Sequence, residues 1–211
     1  MNIIDVRTLN LPEVKVVRYG RFADERGYFT ETYRKSDFQA NPQLGFLKNL
    51  EIVQTNVSYS KKGVVRGLHI QWNPHMGKLV RVVLGHMLDL FMDIRKNSPN
   101  FGKIAILEMK ADFKRQNNEW IWIPVGFAHG TCFLEDTAIE YYCTAEYNPK
   151  SEASISPLAG DIDWSVCDPN LKKIFEEVVG TEANISEKDK KGHTLSSWSS
   201  SPDSDNFLLP T

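Results

Sequence analysis

The sequence predicts an all-β protein of the jelly-roll type, with short helices at its periphery. About eight short runs of strand character recur at spacings of about 8 to 12 residues, which is typical of sandwiches and barrels. Glycine, asparagine and proline separate these runs, which are rich in β-branched and aromatic residues. Strands do not alternate with long helices, so a doubly wound parallel sheet is disfavoured.

Length and composition indicate one main domain. The 211 residues are 41% hydrophobic and 11% aromatic, which is enough for one sizeable core. We predict a jelly-roll domain over residues 1–185 and a C-terminal extension over residues 186–211. Because 196–204 is rich in serine and carries a proline and two aspartates, we expect this extension to be partly flexible.

The net charge and the cysteines limit the kinds of molecule that this protein is expected to bind. A formal charge of −2 argues against nucleic acid and against an anionic membrane, since both require a concentrated basic field. No apolar run approaches the roughly 20 residues of a membrane span, and the amino terminus lacks a signal-peptide pattern. Three cysteines without a C-x-x-C spacing suit small buried residues in a reducing compartment. We therefore expect a cytoplasmic protein that binds small molecules or copies of itself.

The first fifty residues carry weaker signals. Residues 14–19 predict an edge strand, and 36–50 predict a short helix and a loop. Between them, a turn at 24–27 precedes a strand that runs to residue 33. On one face of that strand a carboxylate stands between two rings, either as a site or as a solvated group: Phe29, Glu31 and Tyr33.

Strand signals dominate from residue 51 onward. Residues 52–59 alternate, so that Gln54 and Asn56 share one face, and two amides that point the same way could line a cavity. A turn at 61–63 leads into the next strand. The further predicted strands cover 65–71, 78–84, 87–95, 103–109, 120–123, 122–130 and 137–144, and glycines and β-branched residues distinguish them from helices.

Residues 97–102 form a loop by composition, whereas 170–179 predict a helix. The helix is indicated by apolar residues at 171, 174, 175 and 178, which fall on one stripe.

Two histidines lie in apolar, glycine-bounded segments, His69 in 65–71 and His129 in 122–130. A single histidine in such a run is more often a satisfied core residue. Two of them, with Arg66 and Lys78 close by, favour a site in which a rigid sheet presents titratable groups to a cavity. A metal site is disfavoured, because neither histidine is followed by the close imidazole and carboxylate ligands that a metal centre needs.

Several blocks, in this order, resemble the dTDP-4-dehydrorhamnose 3,5-epimerase family over about residues 15 to 165. They are Asp24-x-Arg26-Gly27-x-Phe29-x-Glu31, Arg66-Gly67-Leu68-His69-x-Gln71, Gly77-Lys78-Leu79-Val80-Arg81, Asp93-Ile94-Arg95-Lys96-x-Ser98-Pro99-x-Phe101-Gly102-Lys103, Trp122-Ile123-Pro124-x-Gly126-Phe127-Ala128-His129-Gly130 and Tyr147-Asn148-Pro149. The resemblance implies a cupin-like jelly-roll homodimer that needs neither metal nor cofactor and acts on a nucleotide-linked 4-keto-6-deoxyhexose.

Inversion of a carbon next to a ketone requires a base on one face, an acid on the other and a cation or donor at the enolate oxygen. The resemblance implies that His69 is the base, Asp189 its carboxylate partner, Tyr141 the acid and Lys78 the enolate stabiliser. Two simpler interpretations remain open. Asp189 also fits the first turn of a short helix capped by Ser186, and Tyr141 could be an ordinary sheet aromatic.

The resemblance also implies a substrate-binding set. Arg66 corresponds to the pyrophosphate contact, and guanidinium suits phosphate oxygens. Tyr147 corresponds to the aromatic that stacks on the nucleotide base. The remaining residues line the sugar pocket, namely Gln54, Asn56 and His129, or complete the nucleotide site, expected across the dimer, namely Arg26, Phe29 and Glu31.

Three functions therefore stay open at the level of sequence. The first is epimerisation at both C3 and C5 of a dTDP-linked 4-keto-6-deoxyhexose. The second is inversion of a single centre, or use of another nucleotide, on the same scaffold. The third is non-catalytic binding of a sugar nucleotide.

Overall fold

Strands form most of the regular secondary structure in the computed structural model, which describes residues 1–181 and 183–209. In chain order the strands are β1 (Ile3–Thr8), β2 (Lys15–Gly20), β3 (Phe22–Asp24), β4 (Gly27–Phe29), β5 (Gln54–Ser60), β6 (Val64–Gln71), β7 (Lys78–Leu84), β8 (His86–Asp93), β9 (Ile104–Lys110), β10 (Asn117–Ile123), β11 (Phe127–Phe133), β12 (Thr137–Cys143), β13 (Glu152–Ser154) and β14 (Asn184–Ile185). The helices are α1 (Lys35–Ala40), α2 (Pro169–Gly180), α3 (Glu187–Lys190) and α4 (Leu195–Ser200), with 3₁₀ turns at Pro42–Leu47 and Pro202–Phe207.

The strands assemble into two large sheets and one small hairpin. The first sheet has the order β1-β2-β10-β7-β12-β5, and the second has the order β13-β6-β11-β8-β9, with β14 parallel to β6. Strands β3 and β4 pair only with each other. Most neighbours within each large sheet are distant in sequence and antiparallel, which is the topology of a cupin-like jelly roll. The predicted all-β jelly-roll class is confirmed.

Three hydrophobic clusters explain why the sheets are stacked. The inner cluster joins both sheets through residues such as Val80 and Ile121 of the first and Phe91 and Phe133 of the second. The outer face of the second sheet is covered by the C-terminal helices, and that of the first sheet by α1 and the 3₁₀ turn after it. Because β8 is buried on both faces, apolar residues occupy both faces of it, with Asp89 and Asp93 as buried exceptions.

The predicted strands from residue 51 onward are all present, with ends shifted by a few residues. In β5 the alternation is also as predicted. Its polar face, with Gln54 and Asn56, points into the space between the two sheets. Val57 on the other face is 71% exposed. The first sheet therefore turns polar groups toward the space between the sheets. Because buried polar groups need hydrogen-bonding partners, this favours a cavity at that place.

The predicted strand to residue 33 is wrong beyond Phe29, where β4 ends. Thr30 donates a hydrogen bond to the Gly20 carbonyl oxygen at 2.8 Å, and Glu31 pairs with Arg34 and with the chain's amino terminus. Tyr33 packs edge-on against neighbouring aromatic rings. These local contacts hold residues 30–33 outside the sheet, where they do not form the backbone hydrogen bonds of a longer strand.

The predicted helix at 170–179 is α2, which Asp168 caps by accepting a hydrogen bond from the Asn170 backbone. Phe175 is buried against Trp164 on the outside of the second sheet. Among residues 1–181 and 183–209, no helix has the length and apolar character needed to cross a membrane.

The serine-rich segment near the C-terminus contains helix α4 and a 3₁₀ turn. Serine hydroxyls and Thr194 cap these turns, while Trp198 and Phe207 are buried against the barrel. Two large aromatic side chains thus anchor a segment whose average composition suggests flexibility. The division of the chain at residues 185 and 186 stays a prediction, and the last two residues lie outside the described part.

Candidate active site

A cavity of about 300 Å³ lies between the two sheets, and a smaller one of about 90 Å³ adjoins it. Four of the predicted site residues line both cavities and so mark where they meet: His69, Lys78, His129 and Tyr141. His69 and His129 belong to the second sheet, whereas Lys78 and Tyr141 belong to the first. Imidazole and phenol therefore reach one space from opposite walls.

On the second sheet, the two histidines are cross-strand neighbours in β6 and β11. His129 is buried, and its Nε2 lies 3.0 Å from a carboxylate oxygen of Asp89, which is wholly buried on β8. This pair fixes the orientation of the His129 ring. His69 is more exposed, which leaves its ring accessible to a ligand.

Close approach of β6 and β11 depends on glycine at two positions. Gly67 has φ +108°, and a Cβ there would lie 2.6 Å from Gly130 Cα and 2.7 Å from the His129 carbonyl oxygen. A side chain at Gly67 would push the strands apart next to His69. The glycines of both histidine motifs thus set the spacing of the two imidazoles.

His69 has a carboxylate partner from a distant part of the chain. Its Nε2 lies 2.8 Å from Asp189 Oδ1, and the Gly67 amide donates to Asp189 Oδ2 at 3.4 Å. Asp189 lies in helix α3, where its own amide donates to Ser186 Oγ. The two interpretations of Asp189 are thus compatible: Ser186 caps its helix, and its carboxylate contacts the histidine, while its role as partner of a base stays a prediction.

The pKa of Asp189 is lowered relative to an ordinary aspartate. Burial alone would raise this pKa, but the hydrogen bonds from His69, Gly67 and Ser186 and the charge of the imidazole together lower it. The carboxylate is thus ionised at neutral pH and can stabilise a protonated ring next to it.

We expect Asp189→Asn to slow any reaction that uses His69 as a base by about 10²-fold, because the ring loses a carboxylate that orients it and offsets the charge it gains when it accepts a proton. The matched control is Glu187→Gln on the same helix, whose carboxylate is exposed and pairs only with lysines. Equal rates for the two variants would contradict the pairing.

The same carboxylate makes stability depend on pH. Its folded pKa lies below the unfolded value of about 3.9, so it contributes stability above that value and loses it as the pH falls through the folded pKa. The wild type should exceed Asp189→Asn in free energy of unfolding at pH 7, and the difference should shrink below about pH 4. Urea unfolding at several pH values measures this difference, and a gap that widens in acid would refute it.

On the first sheet, Tyr141 and Tyr142 point to opposite faces of β12. Tyr141 lines both cavities, whereas Tyr142 contacts Trp120 and Thr32 on the outer side. The alternation predicted for this pair is present. Burial raises the pKa of the Tyr141 phenol, so the group carries its proton at neutral pH.

Lys78 faces the cavity from β7. Within the described residues its ammonium group has no hydrogen bond or ion pair, whereas most other lysines have such a partner. Burial lowers the pKa of this ammonium, against the opposing effect of Cys143 and two carboxylates. A desolvated cation without a protein partner is available to an oxygen of a ligand.

Two amides extend the same wall. Gln54 donates to the Asn56 side chain at 3.0 Å and accepts from the Tyr147 amide at 2.9 Å. Both line the cavity with Cys143, which is the cross-strand neighbour of Lys78. The side chain of Arg66 reaches the smaller cavity, where its Nε donates to Ser60 Oγ at 3.0 Å.

Glu152 lines the cavity, although the sequence analysis did not predict it as a site residue. Glu152 on β13 accepts hydrogen bonds from the Tyr147 hydroxyl at 2.9 Å and from Lys188 Nζ at 2.6 Å. Lys188 is next to Asp189, so this pair also holds helix α3 against the barrel. Burial opposes ionisation of Glu152, but its hydrogen bonds to Lys188 and Tyr147 lower its pKa. The one sequence signal that could have identified Glu152 is its position five residues after Tyr147, which belongs to one of the blocks that resemble the family.

Three predicted substrate-binding residues lie away from this cavity in the same chain. Arg26 pairs with Asp24 in the β3–β4 hairpin, Phe29 is exposed, and Glu31 is held by Arg34. The structure of one chain therefore does not bring them together with Tyr147 or His69.

No group of three or more histidine, cysteine, aspartate or glutamate side chains suited to a metal ion occurs among the residues that the structure describes. The cavity instead combines an imidazole–carboxylate pair, a protonated phenol and a free ammonium. This set can remove a proton from one face of a ligand, supply one to the other face and stabilise an anion between them.

Comparisons with known proteins point to one family. A family model described as dTDP-4-dehydrorhamnose 3,5-epimerase matches residues 8–197. The enzyme of that name from Shigella flexneri is 42% identical over 175 residues, covering 81% of this chain and 91% of the relative. The relative of that name from Neisseria gonorrhoeae is 46% identical over 153 residues, covering 72% of this chain but only 43% of the relative.

A solved structure is also similar over the full length. The dTDP-6-deoxy-D-glucose-3,5-epimerase of Legionella pneumophila, in complex with dTDP-4-keto-L-rhamnose, aligns with a TM-score of 0.77 at 32% identity. The alignment covers 100% of this chain and 98% of the other.

Proposed function

This chain belongs to the dTDP-4-dehydrorhamnose 3,5-epimerase family, and we propose that it inverts C3 and C5 of a dTDP-linked 4-keto-6-deoxyhexose. The observation that carries the proposal is the position of the His69–Asp189 pair and Tyr141 on opposite walls of one cavity, with the Lys78 ammonium beside them. The family's name and the ligand in the Legionella relative supply the substrate class.

The proposed chemistry proceeds through an enolate at each carbon. His69 removes the proton from the carbon next to the ketone, and the C–H electron pair moves into the new C=C bond as the carbonyl oxygen becomes anionic. Lys78 stabilises that oxygen by its charge. Tyr141 then gives its proton to the opposite face of the same carbon, the enolate collapses to the ketone, and solvent restores both residues.

Binding of the remainder of the substrate follows from the other lining residues. Gln54, Asn56 and His129 present hydrogen-bonding groups to the sugar. Arg66 supplies a cation for the diphosphate, and the exposed ring of Tyr147 offers a stacking surface for the base.

The proposal is tested by isotope exchange. The protein is incubated with dTDP-4-keto-6-deoxyglucose in D₂O, and NMR follows deuterium at C3 and C5 together with the configuration of the product. Deuterium and inversion at both carbons support the proposal. Label at one carbon only would assign a single-centre epimerase, and tight binding without any label would assign a non-catalytic binder.

We further infer that two copies of the chain form the working unit. Strands β5 and β7, which flank β12 in the first sheet, expose the apolar side chains of Val57, Tyr59 and Val83, which is unusual for a monomer surface. The β3–β4 hairpin exposes Phe29 beside Arg26, far from its own cavity. A partner that covers this face would bring that hairpin to the edge of a neighbouring site.

We expect Val57→Lys to shift a dimer of about 48 kDa to monomers and to weaken binding of dTDP at least several-fold, because it buries a charge in an apolar interface. Light scattering coupled to gel filtration and calorimetric titration measure both effects. The control is Leu158→Lys, at an exposed leucine away from this face. A wild type that is monomeric while it epimerises would overturn the inference.

A further inference from the structure

The last described residues of the chain form part of the cavity wall. We call residues 205–209 the C-terminal strap. Within it, Phe207 is only 4% exposed and lines the main cavity. Its ring lies edge-on to His75 at 5.2 Å and to Trp72 at 6.5 Å, and 6.0 Å from the ring of Trp198. The family model matches residues 8–197, so the strap lies beyond the matched region.

Polar contacts hold the strap to two loops of the barrel. Each joins the strap to His75, Lys96 or Asn97. They are the Lys96 amide to the Phe207 carbonyl at 3.1 Å, Lys96 Nζ to Asp205 at 2.6 Å, the Asn97 side chain to the Leu209 carbonyl at 3.0 Å, the Leu209 amide to Asn97 at 2.6 Å, and His75 Nε2 to the Asn206 carbonyl at 2.9 Å. This set fixes the position of the Phe207 ring.

Phe207 is one of several apolar side chains that line the cavity. Met76, Ile123 and Phe127 are others, beside the groups for proton transfer and hydrogen bonding. The lining of the cavity is therefore both polar and apolar. A bound ligand is expected to place its own apolar part against an apolar side chain such as Phe207, because a hydroxyl held there would lose its hydrogen bonds to water.

A 4-keto-6-deoxyhexose has one apolar substituent, the methyl group at C6; its other substituents are hydroxyls, a carbonyl and the diphosphate ester. We propose that the C-terminal strap is a specificity element, in which Phe207 forms the wall that accepts the C6 methyl group and disfavours a hydroxyl at C6. This proposal rests on the proposed function, since it assigns a part of the same substrate to a part of the same site.

The proposal is tested by binding alone, with ligands that have no ketone and so do not react. Calorimetric titration compares dTDP-6-deoxyglucose with dTDP-glucose, which differ by one hydroxyl at C6. The wild type should bind the 6-deoxy ligand roughly ten- to a hundredfold more tightly, which is the discrimination that an apolar pocket achieves against an added hydroxyl. In Phe207→Ala this ratio should fall to within about threefold of unity.

Two further variants make the result independent of folding. Phe207→Leu keeps an apolar side chain against Trp198 and should fold like the wild type, yet it should reduce the ratio by at least several-fold because the flat wall is lost. The matched control is Leu208→Ala, next in the strap, whose side chain is 56% exposed and does not line the cavity. It should keep the wild-type ratio.

The possible failures are distinct from one another. A wild type that exchanges deuterium at C3 and C5 but binds the two ligands equally well would overturn the role of the strap and leave the proposed function intact. A wild-type ratio that persists in folded Phe207→Leu would also overturn it. Absence of deuterium exchange, with the ligand preference present and sensitive to Phe207, would overturn the proposed reaction and retain the strap as part of a binding site.

Discussion

Replacement of His69 with Asn is expected to lower the rate of deuterium exchange at C3 and C5 by about 10³- to 10⁴-fold, which corresponds to about 4 to 5.5 kcal/mol of transition-state stabilisation. His69 and His129 both line the cavity and pair with a carboxylate through Nε2, but the ring of His69 is the more exposed of the two, whereas His129 is buried. An asparagine side chain fills a similar space and still forms hydrogen bonds, but it cannot accept the proton.

Affinity for a dTDP-sugar should change little in this variant, because the proposed diphosphate and base contacts are made by other residues. His86→Asn is the control, since His86 contacts Glu108 at one edge of the second sheet and does not line the cavity. If His69→Asn retained more than about a tenth of the wild-type exchange rate while folded, a different base would have to be sought.

Replacement of Tyr141 with Phe is expected to separate proton removal from inversion. Without the phenol, His69 can still remove a proton and return one from solvent to the same face, so deuterium should enter the substrate. Reprotonation from the opposite face should fall by about 10²- to 10³-fold. NMR should therefore detect labelled starting material with its original configuration, and little epimer.

The adjacent tyrosine provides the matched control. Tyr142→Phe removes a hydroxyl that lies 3.1 Å from Thr32 on the outer side of the sheet, so stability should change slightly and inversion should not. Normal inversion by Tyr141→Phe would mean that water or another residue protonates the second face. Loss of both exchange and inversion would instead place Tyr141 in proton removal.

The two variants together distinguish the roles of the two sheets. Exchange is assigned to the wall that carries His69, and inversion to the wall that carries Tyr141. The arrangement follows from stacking of two sheets, which turns Tyr141 of β12 and His69 of β6 toward the space between them.

Sequence patterns were most reliable where local periodicity and burial agree. The amide face of β5, the opposite directions of Tyr141 and Tyr142 and the helix at 170–179 all follow from the residues themselves. The predicted strand beyond Phe29 is wrong because, at this place, periodicity and tertiary contacts disagree. Alternation continues there, but contacts of Glu31 with Arg34 and of Tyr33 with Phe38 hold that segment outside a sheet.

The sequence by itself determined the jelly-roll class, the two histidine strands and the family resemblance, because these depend on short-range periodicity and on motifs of neighbouring residues. Only the tertiary structure decided that Asp189 reaches His69 across 120 positions, that Glu152 and Phe207 border the cavity, and that Arg26 and Phe29 do not. Such contacts join distant segments through packing and hydrogen bonds, which no local pattern encodes.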